Sequence, residues 1–413
     1  MANRAGSTLQ LHLPNEILEM IFMNLLGDPT VDWHSRFRRK DIKRFVNNMR
    51  RAQPADFLLV CRQWAQVILH NRRLWTTVLV DSWMIRERGP EVVRAKIKAH
   101  LQRSGNEPLD VIHVTIRAPF QSSWEAWKPE PSTAPRKSLS RRQICDLLEV
   151  VAGQGGQEMK RWKSCILAWS AVLDRKSCWL MSHFLTYPTP LLESLCIWNV
   201  TSGHLPIFPD TPVLKRLVST GYHYQIGAGV PLPCTESAYI SNRRLDGNCS
   251  RFGRLAVRLL RRISEVRFLN ILDVAGVLPS RLALLDNEEP LRFPNLVDLR
   301  LEGGISCFLI RKLKAPRLNS LTLHFKCGAG HEELLGHLAE ADLPELSRLD
   351  LDLTKNDDPH WTLGEVGPSV IGMLSTKETL RTVIGTADLE GVVAGCREML
   401  PSFLPRLVFS LRV

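Results

Sequence analysis

Five stretches in the second half of the chain carry one pattern, a proline followed two residues later by a leucine, then apolar residues at fixed offsets. The prolines are Pro190, Pro212, Pro294, Pro316 and Pro344. The positions behind them are Leu192, Leu195 and Ile197; Leu214, Leu217 and Ser219; Leu296, Leu299 and Leu301; Leu318, Leu321 and Leu323; and Leu346, Leu349 and Leu351. The first leucines are separated by 214 − 192 = 22, 318 − 296 = 22 and 346 − 318 = 28 residues. The gap 296 − 214 = 82 leaves room for two less regular copies. One unit this short cannot bury its own apolar face, so the copies must stack on one another. The pattern therefore predicts an α/β solenoid built on parallel strands.

Each copy supplies a strand, in which side chains alternate between the two faces. Paired residues such as Leu299 and Leu301 face the core, and Asp298, Arg300 and Glu302 face outward. The proline is expected to end the preceding helix and set an extended entry. Weaker copies are read at Ile263, Val266 and Phe268, and near Ser237 and Tyr239. Trp162, Cys165 and Leu167 read as a copy before the series; Leu380 with Val383, and Leu404, Leu407 and Phe409, read as copies after it. Segments 175–186 and 331–341 have helical spacing and fill the space between strands. The period is similar to that of leucine-rich repeats, although the asparagine ladder of the regular form is missing, which predicts uneven repeats. The concave strand face is the natural surface for a bound protein. Its candidate residues are Trp198, Arg216, Asp298, Arg300, Glu302, His324, Arg348, Asp350 and Asp352. Four carboxylates against two arginines on the last strands predict a locally acidic patch there.

The other end of the chain reads as a small helical unit. Pro14 suits the first position of a helix, and Ile17, Leu18, Ile21, Phe22, Leu25 and Leu26 form a stripe along it. Gly27 stops this helix. A second helix is expected from Asp56 as N-cap, with Cys61, Trp64, Ala65 and Ile68 on one face and Asn71 at its end. Leu74 and Trp75 seat a third element on the pair. Between the helices, residues 32–53 hold eight cations and two aspartates, a net of 8 − 2 = +6 out of the +12 of the whole chain. That stretch is open to two readings, a solvated basic segment or a site for nuclear import or an acidic partner.

The residues of these helices, L-P-x-E-I-L-x-x-I-F from Leu13, V-C-R-x-W from Val60 and R-L-W ending at Trp75, resemble the F-box, in the form common among fungal F-box proteins. L-x-R-S-G-x-x-P-L-D around Ser104 and Pro108 is similar to a junction that recurs in the same family. The resemblance implies a three-helix unit docking on the adaptor subunit of an SCF-type (cullin–RING) ubiquitin ligase, and through it on a cullin. It implies adaptor contacts by Leu13, Pro14, Ile17, Leu18, Ile21, Val60, Cys61 and Trp64. The family's link between the helices is usually short, so the insertion at 29–53 is a departure. The predicted organisation is a flexible terminus at 1–8, an F-box at 9–80, a junction at 81–157 with a flexible insertion at 117–139, and the solenoid at 158–413.

The sequence offers no catalytic set. It contains no G-x-S-x-G, P-loop or H-E-x-x-H motif, and Gly153 to Gly156 reads as a helix stop rather than a phosphate loop. The ten cysteines form no C-x-x-C pair, which argues against a zinc site and for thiols in a reducing compartment. His331, Glu332 and His337 read as solvated helix residues. A non-enzymatic subunit without cofactor or metal is expected. No apolar run approaches the ~18–20 residues that span a bilayer, so an intracellular, soluble protein in cytoplasm or nucleus is expected. A basic chain could bind nucleic acid, but four tyrosines and no reader motif argue against that. The leading expectation is a substrate receptor for an unknown target. A leucine-rich interaction scaffold without a ligase is the alternative.

Overall fold

The computed structural model describes residues 13–26, 39–51, 53–115, 141–169, 183–198, 207–220, 230–242, 249–273, 289–303, 305–326, 331–354, most of 374–385, and 408–411. The expected flexible segments 1–8 and 117–139, most of the helix at 175–186, and the first part of the basic insertion lie outside these residues.

Twelve strands form one parallel sheet in chain order. They are β1 (Thr77–Asp81), β2 (Leu109–Thr115), β3 (Trp162–Trp169), β4 (Ser194–Trp198), β5 (Arg216–Thr220) and β6 (Ser237–Asn242), followed by β7 (Phe268–Asp273), β8 (Asp298–Glu302), β9 (Ser320–Lys326), β10 (Arg348–Thr354), β11 (Thr382–Gly385) and β12 (Val408–Leu411). Every pairing is between sequential neighbours, the signature of a solenoid-like α/β fold. The two irregular copies between β5 and β8 are present as β6 and β7. The sheet begins at Thr77, so the segments assigned to the tail of the helical unit and to the junction already belong to it.

The role of the repeated proline differs from the expectation. It stands second in a tight turn that immediately precedes the strand. The amide of the first leucine donates to the carbonyl three residues earlier, in Leu192 to Thr189, Leu214 to Thr211, Leu296 to Phe293, Leu318 to Ala315 and Leu346 to Leu343. Proline pre-sets φ for that second turn position, and its missing N–H is not needed there. Thr235 to Leu232 repeats the turn around Pro233, a sixth copy hidden by threonine in the leucine position. Directly after each turn a backbone ladder runs from repeat to repeat: Lys215 to Glu193, Glu236 to Lys215, Arg267 to Glu236, Val297 to Arg267, Asn319 to Val297, Ser347 to Asn319 and Arg381 to Ser347.

The leucines behind these turns are fully buried and form one continuous core with the inward strand residues. Helices α7 (Arg141–Ala152), α8 (Cys249–Arg262), α9 (Ile305–Lys312) and α10 (His331–Glu340) complete the layer on that side. Gly153 ends α7 at φ +75, and Gly156 lets the loop lie against Tyr187 where a Cβ would collide.

The N-terminal helices are α1 (Asn15–Leu26), α2 (Arg39–Arg51), α3 (Pro54–Phe57) and α4 (Arg62–His70), followed by a 3₁₀ turn at Arg72–Trp75. Pro14 precedes α1, and its carbonyl accepts from Ile17 and Leu18. The second helix of the pair starts at Arg62, not at Asp56. Cys61 is its N-cap, with Sγ accepting from the Trp64 amide. Leu18, Phe22, Val67, Ile68, Leu74 and Trp75 form a separate small core. Phe22 meets Trp64 edge-on at 4.9 Å between centroids. The basic helix α2 buries Val46 and Met49 in the solenoid core, and Arg50 pairs with Asp81. The helix therefore packs on the start of the sheet. Helices α5 (Ser82–Arg88) and α6 (Pro90–Ser104) connect β1 to β2.

Two histidines are buried. His113 occupies an inward strand position between Val80 and Leu167, and His100 on α6 meets Trp75 edge-on at 5.0 Å. Burial pushes each from 6.5 down to about 4, and Lys96 and Arg103 add to the effect on His100. Both are neutral when folded and protonate at ordinary pH once unfolded. Stability is therefore complete above pH 6.5 and falls as pH drops toward 4. Denaturant melts at pH 7.5 and pH 5 should show a loss of about 2 kcal/mol per histidine. His113→Leu should remove about half of that pH dependence.

Candidate functional site

Two surfaces gather the candidate residues. The first is on the helical unit. Gln63 Nε2 donates to the Leu13 carbonyl at 2.8 Å and lies 3.3 Å from Asn15 Oδ1. This contact brings the start of α1 beside the start of α4, joining two segments about fifty residues apart in sequence. Leu13, Ile17, Leu59 and Val60 are exposed there, with Leu59 at 92% and Val60 at 56%. Pro14 and Cys61 are exposed as well, and Ile21 and Trp64 are half-buried.

The expectation for Leu18 needs correction. It points with Phe22 into the small core at 1% exposure, because residues four apart share a helix face. Trp64 gives one side of its ring to Phe22 and Phe57. Leu59 and Gln63 were absent from the sequence-derived set. Leu59 lies in the turn between α3 and α4, which an apolar run from Phe57 to Cys61 disguised as helix.

The second surface is the outward face of the sheet. Arg216, Ser237, Tyr239, Phe268, Asn270, Asp298, Arg300 and Thr322 line a hollow of about 290 Å³ across β5 to β9. Strand register sets the row Val218, Tyr239, Asn270, Arg300, Thr322 and Asp350 side by side. The row therefore changes from apolar to polar along the sheet. Arg216, Asp298 and Arg300 were anticipated from sequence. Tyr239, Phe268 and Asn270 were not, because their strands lack the leucine signature.

Burial removes three residues from the expected face. In β4 all five residues are buried, and Trp198 is hemmed in by Ala168 and Thr220 on the adjacent strands. His324 is buried with Nε2 2.6 Å from Arg300 Nη2, and Asp350 is buried on the next strand. Glu302 is half-buried and Arg348 exposed; the Asp352 side chain lies outside the described residues. Among the described side chains, the accessible carboxylates Asp298 and Glu302 stand on this face beside Arg300 and Arg348.

Cys165 and Cys196 are fully buried, and burial pushes both thiols up, away from the reactive thiolate. No group of metal-ligating side chains is found among the described residues, and none of their helices is long and apolar enough to cross a membrane.

The fold is that of a solenoid-like repeat protein. No protein-family model matches the chain, and no curated protein matches it. Among solved structures, a crystallised protein from Bacteroides fragilis is similar at 11% identity, covering 67% of this chain and 72% of that one, with a TM-score of 0.25. A likeness this loose says nothing of what the chain binds.

The division of the first surface is open to test. Leu18→Ala should cost about 2–5 kcal/mol in urea unfolding, as for other buried leucines. Leu59→Ala should stay within about 0.5 kcal/mol, since its side chain meets solvent.

Proposed function

We propose that this chain is the substrate receptor of an SCF-type ubiquitin ligase, a non-catalytic subunit whose helical unit is an F-box. The supporting observation is the exposed apolar strip of Leu13, Ile17, Leu59 and Val60, held together by the Gln63 contact. Such a strip costs solubility, and a partner that covers it recovers the hydrophobic stabilisation of about 25 cal/mol per Å². Amphipathic helices dock through apolar anchors of this kind. The sequence resemblance names the partner class, the adaptor subunit that links such receptors to a cullin.

At the other end, the hollow on the sheet holds the target. Its walls combine two arginines, one carboxylate and two aromatic rings, a composition typical of protein-recognition surfaces. The chain then acts by proximity, holding the target near a ligase centre carried by other subunits. The basic helix α2 is anchored to the start of the sheet by Val46, Met49 and the Arg50–Asp81 pair.

Co-purification with the adaptor subunit tests this reading. The double variant Ile17→Asp, Val60→Asp should lower adaptor affinity by about 100-fold or more, given two charges forced against an apolar partner. Circular dichroism and the melting midpoint should not change, since both side chains are exposed. Unchanged adaptor capture by the folded variant, or no capture by the native chain, would contradict the assignment.

A further inference from the structure

A second cavity, of about 210 Å³, lies where the helical unit meets the first repeat. Arg50, Arg88, Lys96, His100 and Arg103 line it, together with Asp56, Trp75 and Trp83. Its walls come from three places, the residues from Arg50 at the end of α2 to Asp56 in α3, the 3₁₀ turn at Trp75, and helices α5 and α6. No part of the docking strip or of the outward hollow contributes to it.

The charges in this cavity do not balance. Arg50 is matched by Asp81 and lies over Trp83 at 4.8 Å. Arg103 stacks on Trp75 at 4.3 Å but has no carboxylate partner among the described residues. Arg88 and Lys96 likewise form no ion pair among the described residues. Asp56 is the one carboxylate in the lining, leaving three cations against one anion. Burial lowers the Lys96 pKa, the Arg88 charge lowers it further, and Asp56 offsets part of this. His100 lines the same cavity and is buried, with its imidazole against the backbone of Thr77 and Trp75. Like charges gathered in a recess cost stability unless an anion enters.

We propose that this cavity binds a small phosphate-bearing anion that clamps the helical unit to the first repeat. The chemistry selects the ligand class. Two guanidinium groups present planar forks that suit tetrahedral oxyanions, and Lys96 adds a point charge. The surplus of two positive charges calls for a multiply charged anion. The volume is below the ~300–1,000 Å³ of sites for drug-sized ligands, so the bound group is compact. Such a ligand touches Asp56 side and α6 side together, and thereby fixes the direction in which the docking strip faces. None of the cavity residues belongs to the strip or to the hollow, so pyrophosphate binding and adaptor capture can fail independently.

Inorganic pyrophosphate is a suitable probe. Titration calorimetry of the full chain, with potassium chloride at matched ionic strength as control, should give saturable binding of one pyrophosphate per chain at millimolar concentration or tighter. Arg88→Gln with Lys96→Gln should weaken it by about tenfold or more, and Arg88→Gln alone by a smaller factor. Arg88 is exposed on the last turn of α5, so the single variant keeps the fold. Without ligand, the double variant should melt at the same or a higher temperature, because like charges have been removed. The absence of saturable heat in the native chain, or equal binding by native chain and variants, overturns the proposal.

Discussion

The turn that precedes the five regular strands, β4, β5, β8, β9 and β10, governs the molecule. Its proline fixes the second turn position, its closing amide belongs to the first leucine, and that leucine drops into the core. The next residues then hand their amides to the preceding repeat in an unbroken ladder. A single unit gains little from this arrangement. In series, each repeat satisfies the backbone of its neighbour and covers its apolar face, so stability grows through nearest-neighbour terms. The order of twelve strands follows directly from chain order, with no crossover to select.

Trp75 joins the helical unit to this series. Its indole N–H donates to the Ile68 carbonyl at 2.8 Å, its ring meets His100 on α6, and Arg103 lies over it. The side chain is 1% exposed and counts among the largest fully buried groups. One face of the helical unit is thus committed to the solenoid. Leu13, Ile17, Leu59 and Val60 on the same unit are exposed among the described residues. The proposed receptor function grows from this contrast between a fixed side and an open side.

Much of the fold was legible because its signals have separate physical causes. Proline at the turn and leucine in the core are both required, so the five regular copies stand out. The copies at β6 and β7 were fainter. There Thr235 replaces the first leucine, and Ser264 stands where the proline would be. The first strand, Thr77–Asp81, carries no such lead and was not recognised as part of the sheet. The site was less legible. Alternation along a strand tells which face a side chain takes, but not whether its neighbours cover it. It gave Arg216, Asp298 and Arg300 as outward residues, and they line the hollow; it could not foresee that Trp198, His324 and Asp350 are buried. Helical periodicity alone could not separate Leu18 from Ile17, since both lie on the same apolar stripe. Nor could it show that a helix as cationic as α2 would bury Val46 and Met49 in the core.

The proposed function requires a two-ended protein, with the apolar strip facing a ligase adaptor and the polar, aromatic-lined hollow on the sheet facing a target. Hydrogen exchange of the full chain with and without the adaptor subunit tests this division most directly. Protection is predicted in the segments around Leu13 to Ile21 and Leu59 to Trp64, with strands Phe268–Asp273 and Asp298–Glu302 unchanged. Protection confined to those strands, or none anywhere at saturating adaptor, would contradict it.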